Sequence, residues 1–170
     1  MERGIKSLLK IYRRKVEYLV GQWNALEASQ RQVRPAPGKW SLTETLVHLE
    51  MVQEACLMSM RERLESGIKR PSSLKHRWRF FKLRLAMWSH LKFKAPGMVQ
   101  PPTDEAALKQ WEPNAWLRSL DAIELFYKDL PSDYRQILLF KHPVAGPMKA
   151  RHGLIFLIDH LEHHRRGMLR

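Results

Sequence analysis

Apolar residues return every three or four positions through four stretches of this chain, the spacing of helices that each turn one face to a common core. Ile5, Leu8, Leu9, Tyr12, Val16, Leu19, Trp23 and Leu26 mark the first, from about Ile5 to Ala28. The second has a legible start: in Ser41-Leu42-Thr43-Glu44 the Ser hydroxyl and the Glu carboxylate can each satisfy an orphan amide of a first turn, a capping box. Helix two therefore begins near Ser41 and runs to about Ser66, where Gly67 and Pro71 stop it. A third, about Asn114 to Leu130, carries Trp116, Leu120, Ile123, Tyr127 and Leu130 on one face, and Pro131 ends it. The fourth follows Gly146-Pro147 and runs from about Met148 to Met168. No alternating strand pattern of useful length and no internal repeat interrupt this series, so the pattern predicts an all-α fold.

Facing selects candidate chemistry within these helices. If Leu157 is set at 0° and each residue advances about 100°, Leu154, Leu161 and Met168 fall at about +60°, +40° and +20° and define the buried stripe. His164 falls at about −20° and His160 at about −60°, on the stripe and its edge, whereas His163 falls at about −120°, among outward positions. An i, i+4 pair is offset by only about 40° around the axis and about 6 Å along it, so both imidazoles can face one ion. Helix two is apolar over nearly its whole circumference, with Leu42, Leu46, Leu49 and Leu57 on one side and His48 with Met51, Val52 and Ala55 on the other. A helix of that kind is buried between neighbours. His48 can thus supply a third ligand if its side faces the last helix; otherwise it is a buried, hydrogen-bonded histidine.

Three neutral imidazoles suit zinc, copper, iron or nickel and leave a coordination position open, as catalytic sites do. Glu44 stands one turn before His48. It is a candidate to orient that histidine or to act as a base, and its capping role accounts for it equally well.

Two stretches carry a family resemblance. Arg34-Pro35-Ala36-Pro37-Gly38-Lys39-Trp40-Ser41-Leu42-Thr43-Glu44 followed by His48-Leu49, and His142-Pro143-Val144-Ala145-Gly146-Pro147-Met148 followed by Asp159-His160-Leu161-Glu162-His163-His164-Arg165-Arg166, resemble the opening and closing motifs of the DinB-like helical bundles, a group also described as metal-dependent hydrolases. The resemblance covers nearly the whole chain, taken here as one domain over 1–170. It implies an up-down-down-up four-helix bundle, with a divalent ion (zinc, nickel or iron) held by one histidine of helix two and two of helix four, which correspond to His48, His160 and His164. It also implies a small-molecule substrate and either hydrolysis or transfer involving a low-molecular-weight thiol, and a homodimer is the expected assembly. Where the family often has Gln, this chain has Gly167, a residue that favours fraying or a cap near a helix end.

Composition changes the picture at one place. The chain carries a formal charge of +13, and most of the excess lies in the long crossover between helices two and three, where Arg61 to Lys94 hold eleven Lys or Arg against two Glu, interleaved with Trp78, Phe80, Phe81, Leu83, Leu85, Trp88 and Phe93. The preferred reading is that these aromatics pack on the bundle under long basic side chains. Contact with nucleic acid or an anionic membrane by a non-catalytic binding or dimerisation module is the alternative. Lys94-Ala95-Pro96-Gly97 and Pro101-Pro102 read as an extended loop across the bundle. The single cysteine, Cys56, excludes an internal disulfide and reads as a small core residue. Early lysines and arginines break any secretory apolar run, and the cytoplasm is the expected compartment.

Overall fold

Residues 3–89 and 96–168 are described in the computed structural model; the end of the crossover, residues 90–94, and the first two residues of the loop read after it, Lys94 and Ala95, lie outside them. Helix α1 spans Arg3–Asn24, a single turn α2 Ala28–Arg31, α3 Leu42–Glu65 and α4 Leu74–Trp88. A 3-10 turn at Gly97–Val99 leads to the short α5, Glu105–Gln110, and to α6, Pro113–Asp129; another 3-10 turn, Ser132–Tyr134, precedes strands β1, Leu138–His142, and β2, Gly146–Lys149, and α7, Ala150–Met168, closes the chain. The four helices read from the sequence are α1, α3, α6 and α7. The described residues are mostly helical, as an all-α fold requires.

These four form a ring in which α1 packs on α6 and α7, and α3 packs on the same two. Tyr12 meets Gln53 and Trp23 meets Thr43, so α1 and α3 run in opposite directions. Gln53 meets Trp116 and Met60 meets Tyr127, so α3 and α6 run alike. Met60 lies against Gly153, and His48 against His160, so α7 opposes α3. Trp116, Leu46, Met60, Ile123 and Leu154 are fully buried at the centre.

A helix apolar all round has no hydrophobic preference for one rotation, because burial is non-directional. Gln53 supplies the preference. Fully buried, its Oε1 accepts from the Tyr12 hydroxyl at 2.8 Å and the Trp116 indole at 3.1 Å, and its Nε2 donates to Ser119 Oγ at 2.8 Å. Leaving those donors unpaired would cost about 1–3 kcal/mol each, so this face of α3 is held toward α1 and α6. His48 lies five residues earlier, about 140° round the helix, and is thereby directed elsewhere, toward α7.

Two features correct the expectation of helices joined only by loops. Strands β1 and β2 pair antiparallel, with Phe140 opposite Met148 and His142 opposite Gly146, and a bulge between Leu138 and Phe140. Helix four accordingly starts at Ala150, two residues after the expected Met148. Gly146 has φ +75°, a left-handed conformation that glycine adopts without strain and that the turn needs. The basic crossover contains a fifteen-residue helix, α4, laid on α7 and β2. Only Phe80, Leu83 and Met87 of its apolar residues are buried, whereas Trp78, Phe81, Leu85 and Trp88 are exposed, so the expected packing on the bundle holds for Phe80 and Leu83 and fails for those four; Phe93 lies outside the described residues. No helix of the described residues is long and apolar enough to cross a membrane.

Candidate metal centre

Polar contacts at the start of α3 fix the origin from which His48 is placed. Ser41 Oγ accepts from the Glu44 amide and Glu44 Oε2 accepts from the Ser41 amide at 2.7 Å, completing the capping box, worth about 1 kcal/mol. Thr43 Oγ1 donates to the Arg31 carbonyl and accepts from the Trp23 indole, each at 2.9 Å. The first turn of α3 is thus tied to both preceding helices, and His48 follows one turn later.

His48 is buried, and its Nδ1 donates to the Val99 carbonyl at 2.6 Å. That bond puts the proton on Nδ1 and leaves the Nε2 lone pair directed at α7. There His160 Nε2 lies 3.4 Å from His48 Nε2 and 3.2 Å from His164 Nε2. The ligand atoms of all three residues lie within 4.8 Å of one another. Donors about 2.0–2.1 Å from a tetrahedral ion stand about 3.3 Å apart, so the two closest separations fit a common ion. Neutral imidazoles have too few protons to turn every one of these contacts into a hydrogen bond, and a cation is the group that satisfies converging lone pairs. The cluster could hold a divalent metal ion.

Electrostatics keep the cluster neutral. Burial pushes the His48 pKa down against the opposing Val99 hydrogen bond. His160 is held well below the usual histidine range by burial and by the neighbouring imidazoles, and His164 is pushed down to about 3 by burial, then by His48 and His163. Neutral imidazole is the ligating form.

His163 takes no part in the cluster, and its Nδ1 instead lies 3.0 Å from the Met87 carbonyl at the end of α4. It is partly buried rather than a free surface group, because α4 covers that side of α7. Glu44 is buried with its carboxylate committed: Arg34 donates to both oxygens and the Ser41 amide to one. Burial pushes its pKa up, but the Arg34 and Ser41 contacts prevail and leave it below the usual carboxylate value.

Three neighbours of the cluster were not singled out from the sequence. Trp40 stacks over it, its ring centroid 4.9 Å from His48 and 6.1 Å from His164, nearly parallel to the latter. Phe156 stacks on His160 at 5.3 Å. Val99 acts through a backbone carbonyl, which leaves no mark in a sequence, whereas Trp40 and Phe156 could have been found from their places: one precedes the cap, the other lies one turn before His160.

A family model described as the DinB superfamily matches residues 11–168. The chain belongs to the DinB superfamily. Both halves of the cluster fall inside the matched region, as do the capping box and the hairpin before α7. DinB-like proteins typically bind metal, and the three-histidine cluster is a group that could hold an ion. No curated protein matches the chain.

Proposed function

We propose that His48, His160 and His164 hold one divalent ion, zinc, nickel or iron, and that this DinB-like protein is a metal-dependent enzyme, either a hydrolase or a transferase acting with a low-molecular-weight thiol. The observation that carries the reading is the convergence of three neutral imidazoles, with His48 fixed in the ligating tautomer by Val99. An ion bound by three protein ligands keeps a position at which it acts as a Lewis acid toward water, thiol or a substrate oxygen. The chain supplies the surroundings. Trp40 and Phe156 wall the cluster with aromatic surface, which lowers the local dielectric and strengthens charge interactions there. His164 is half-buried rather than enclosed, and its side of the cluster is the one from which a small molecule would approach. Glu44, tied to Arg34, serves as a cap and anchor for the turn that carries His48, not as the proton acceptor.

The test is a turnover screen on metal-stripped protein reloaded separately with zinc, nickel and iron, using ester and amide substrates and an electrophile paired with a small thiol. Turnover that rises with metal content and disappears in the His160→Ala variant supports the reading. A protein that binds metal through all three histidines but turns over nothing with any ion is a non-catalytic binding module.

A further inference from the structure

Helix α4 presents two opposite apolar faces, and the metal site accounts for neither. With Leu74 at 0° and about 100° per residue, Trp78, Phe81, Leu85 and Trp88 fall at about +40°, −20°, +20° and −40°, one stripe about 80° wide. Phe80, Leu83 and Met87 fall near 180–240° and are the residues buried against the bundle. The outer stripe is solvent-exposed along the whole helix: Leu74 77%, Trp78 58%, Phe81 54%, Leu85 63% and Trp88 59%. Five large apolar side chains in a continuous row are more than scattered surface residues, and such patches mark sites of association.

Charge decides the partner. The stripe is bordered by Lys75 and Lys82 at about +80° to +100° and by Arg77 and Arg84 at about −60° to −80°, whereas Arg79, at about +140°, turns toward Gly146; α4 contains no acidic residue. Trp78 and Phe81 stack at 5.5 Å, and the Lys82 ammonium lies 5.6 Å over the Trp78 ring. Arg84 is held by Asp159 at 2.6 Å; Lys75, Arg77, Arg79 and Lys82 are exposed. A second copy of this chain would bring like charges together along the same rows. Nucleic acid would use the basic rows, but it offers aliphatic Leu74 and Leu85 nothing to be buried in. A row of Trp, Phe and Leu between two basic rows matches the headgroup boundary of an anionic bilayer, where aromatics settle at the interface and lysines and arginines reach phosphates.

We infer that the outer face of α4 is a membrane-surface site, seating the protein on anionic phospholipid through Leu74, Trp78, Phe81, Leu85 and Trp88 with Lys75, Arg77 and Lys82 on the headgroups. The helix lies in the interface plane and does not span it, as the absence of a spanning helix among the described residues requires.

The experiment is co-sedimentation of the full chain with vesicles of phosphatidylcholine alone and of phosphatidylcholine with about one-third phosphatidylglycerol. Three forms are compared: the natural chain, Phe81→Ser with Leu85→Ser, and Lys75→Gln with Arg77→Gln and Lys82→Gln. All the substituted side chains are exposed, so folding is preserved, and circular dichroism verifies it. Binding to the anionic vesicles is expected, with little to the neutral ones. At roughly 1 kcal/mol per basic residue near an anionic surface, the triple variant loses about a hundredfold in affinity. The apolar variant also binds at least tenfold more weakly, and lipids brominated on the acyl chain quench tryptophan fluorescence of the natural chain more than that of Trp78→Phe. No partition onto anionic vesicles overturns the inference. So does binding that the apolar variant retains in full, which is charge attraction without insertion. Self-association lost in the apolar variant with no vesicle binding also overturns it, and makes this face a contact between copies.

Discussion

Replacing Gln53 by Leu keeps the volume of the side chain but removes the acceptor shared by two buried donors, the Tyr12 hydroxyl and the Trp116 indole. Both donors belong to residues no more than 2% exposed, so water cannot replace the amide. Each orphaned group costs about 1–3 kcal/mol, and the added apolar surface returns about 1–2 kcal/mol. The net destabilisation is therefore about 3 kcal/mol, or about 6–12 °C in Tm for a chain of this size. The assay is thermal and urea unfolding followed by circular dichroism, run as a double-mutant cycle with Tyr12→Phe. Alone, Tyr12→Phe costs about 1 kcal/mol; in the Gln53→Leu background it costs nothing or restores stability, because it removes a donor already orphaned. A Gln53→Leu effect below about 0.5 kcal/mol, or strict additivity of the two changes, would refute the claim that this network holds α3.

Acid weakens the fold through two buried histidines that are not part of the cluster. Burial pushes His142 and His152 down to about 4, and for His152 the nearby Lys149, Arg151, Arg77 and Arg84 push the same way. The unfolded chain takes up these protons near pH 6.5 while the folded chain refuses them, so stability is full above about 6.5 and falls as pH drops toward 4, by roughly 3 kcal/mol per histidine at most. Urea midpoints across that range measure it, and His142→Asn, which keeps an acceptor for the Val144 and Ala145 amides, gives a shallower fall. Gly21 sits exposed within α1 with open space where a Cβ would stand, so Gly21→Ala raises stability by about 1 kcal/mol and Tm by about 2–4 °C in a melting scan. Cys56 is 3% exposed with its thiol pKa pushed up by burial; a thiol reagent at pH 8 labels it only after denaturation, and rapid labelling of the native protein would contradict that burial.

Legibility was greatest where periodicity and one chemical signal coincide. On α7 the apolar stripe is single and strong, so the helical wheel alone separates His160 and His164 from His163. The capping box places the start of α3 within a residue. Helix α4 was hidden because its two apolar faces and interleaved arginines leave no single stripe to see. The hairpin was hidden because β1 is buried on successive residues and bulged between Leu138 and Phe140, so no alternation survives. Gln53 reads as one polar residue in an apolar helix, and its importance emerges only when Tyr12 and Trp116, far away in sequence, arrive beside it. The same holds for Val99, whose carbonyl orients His48 from a turn beyond the crossover.

The central claim is that one ion is held by His48, His160 and His164, and elemental analysis of four variants tests it most directly. His48→Ala, His160→Ala and His164→Ala, each confirmed folded and reloaded identically, should lose most of the bound zinc, nickel or iron, because two remaining donors leave the ion poorly held. His163→Ala, the same substitution in the same helix but at a residue bonded to the Met87 carbonyl, should retain metal near the level of the natural chain. Equal loss in all four, or full retention in all four, would contradict the assigned site.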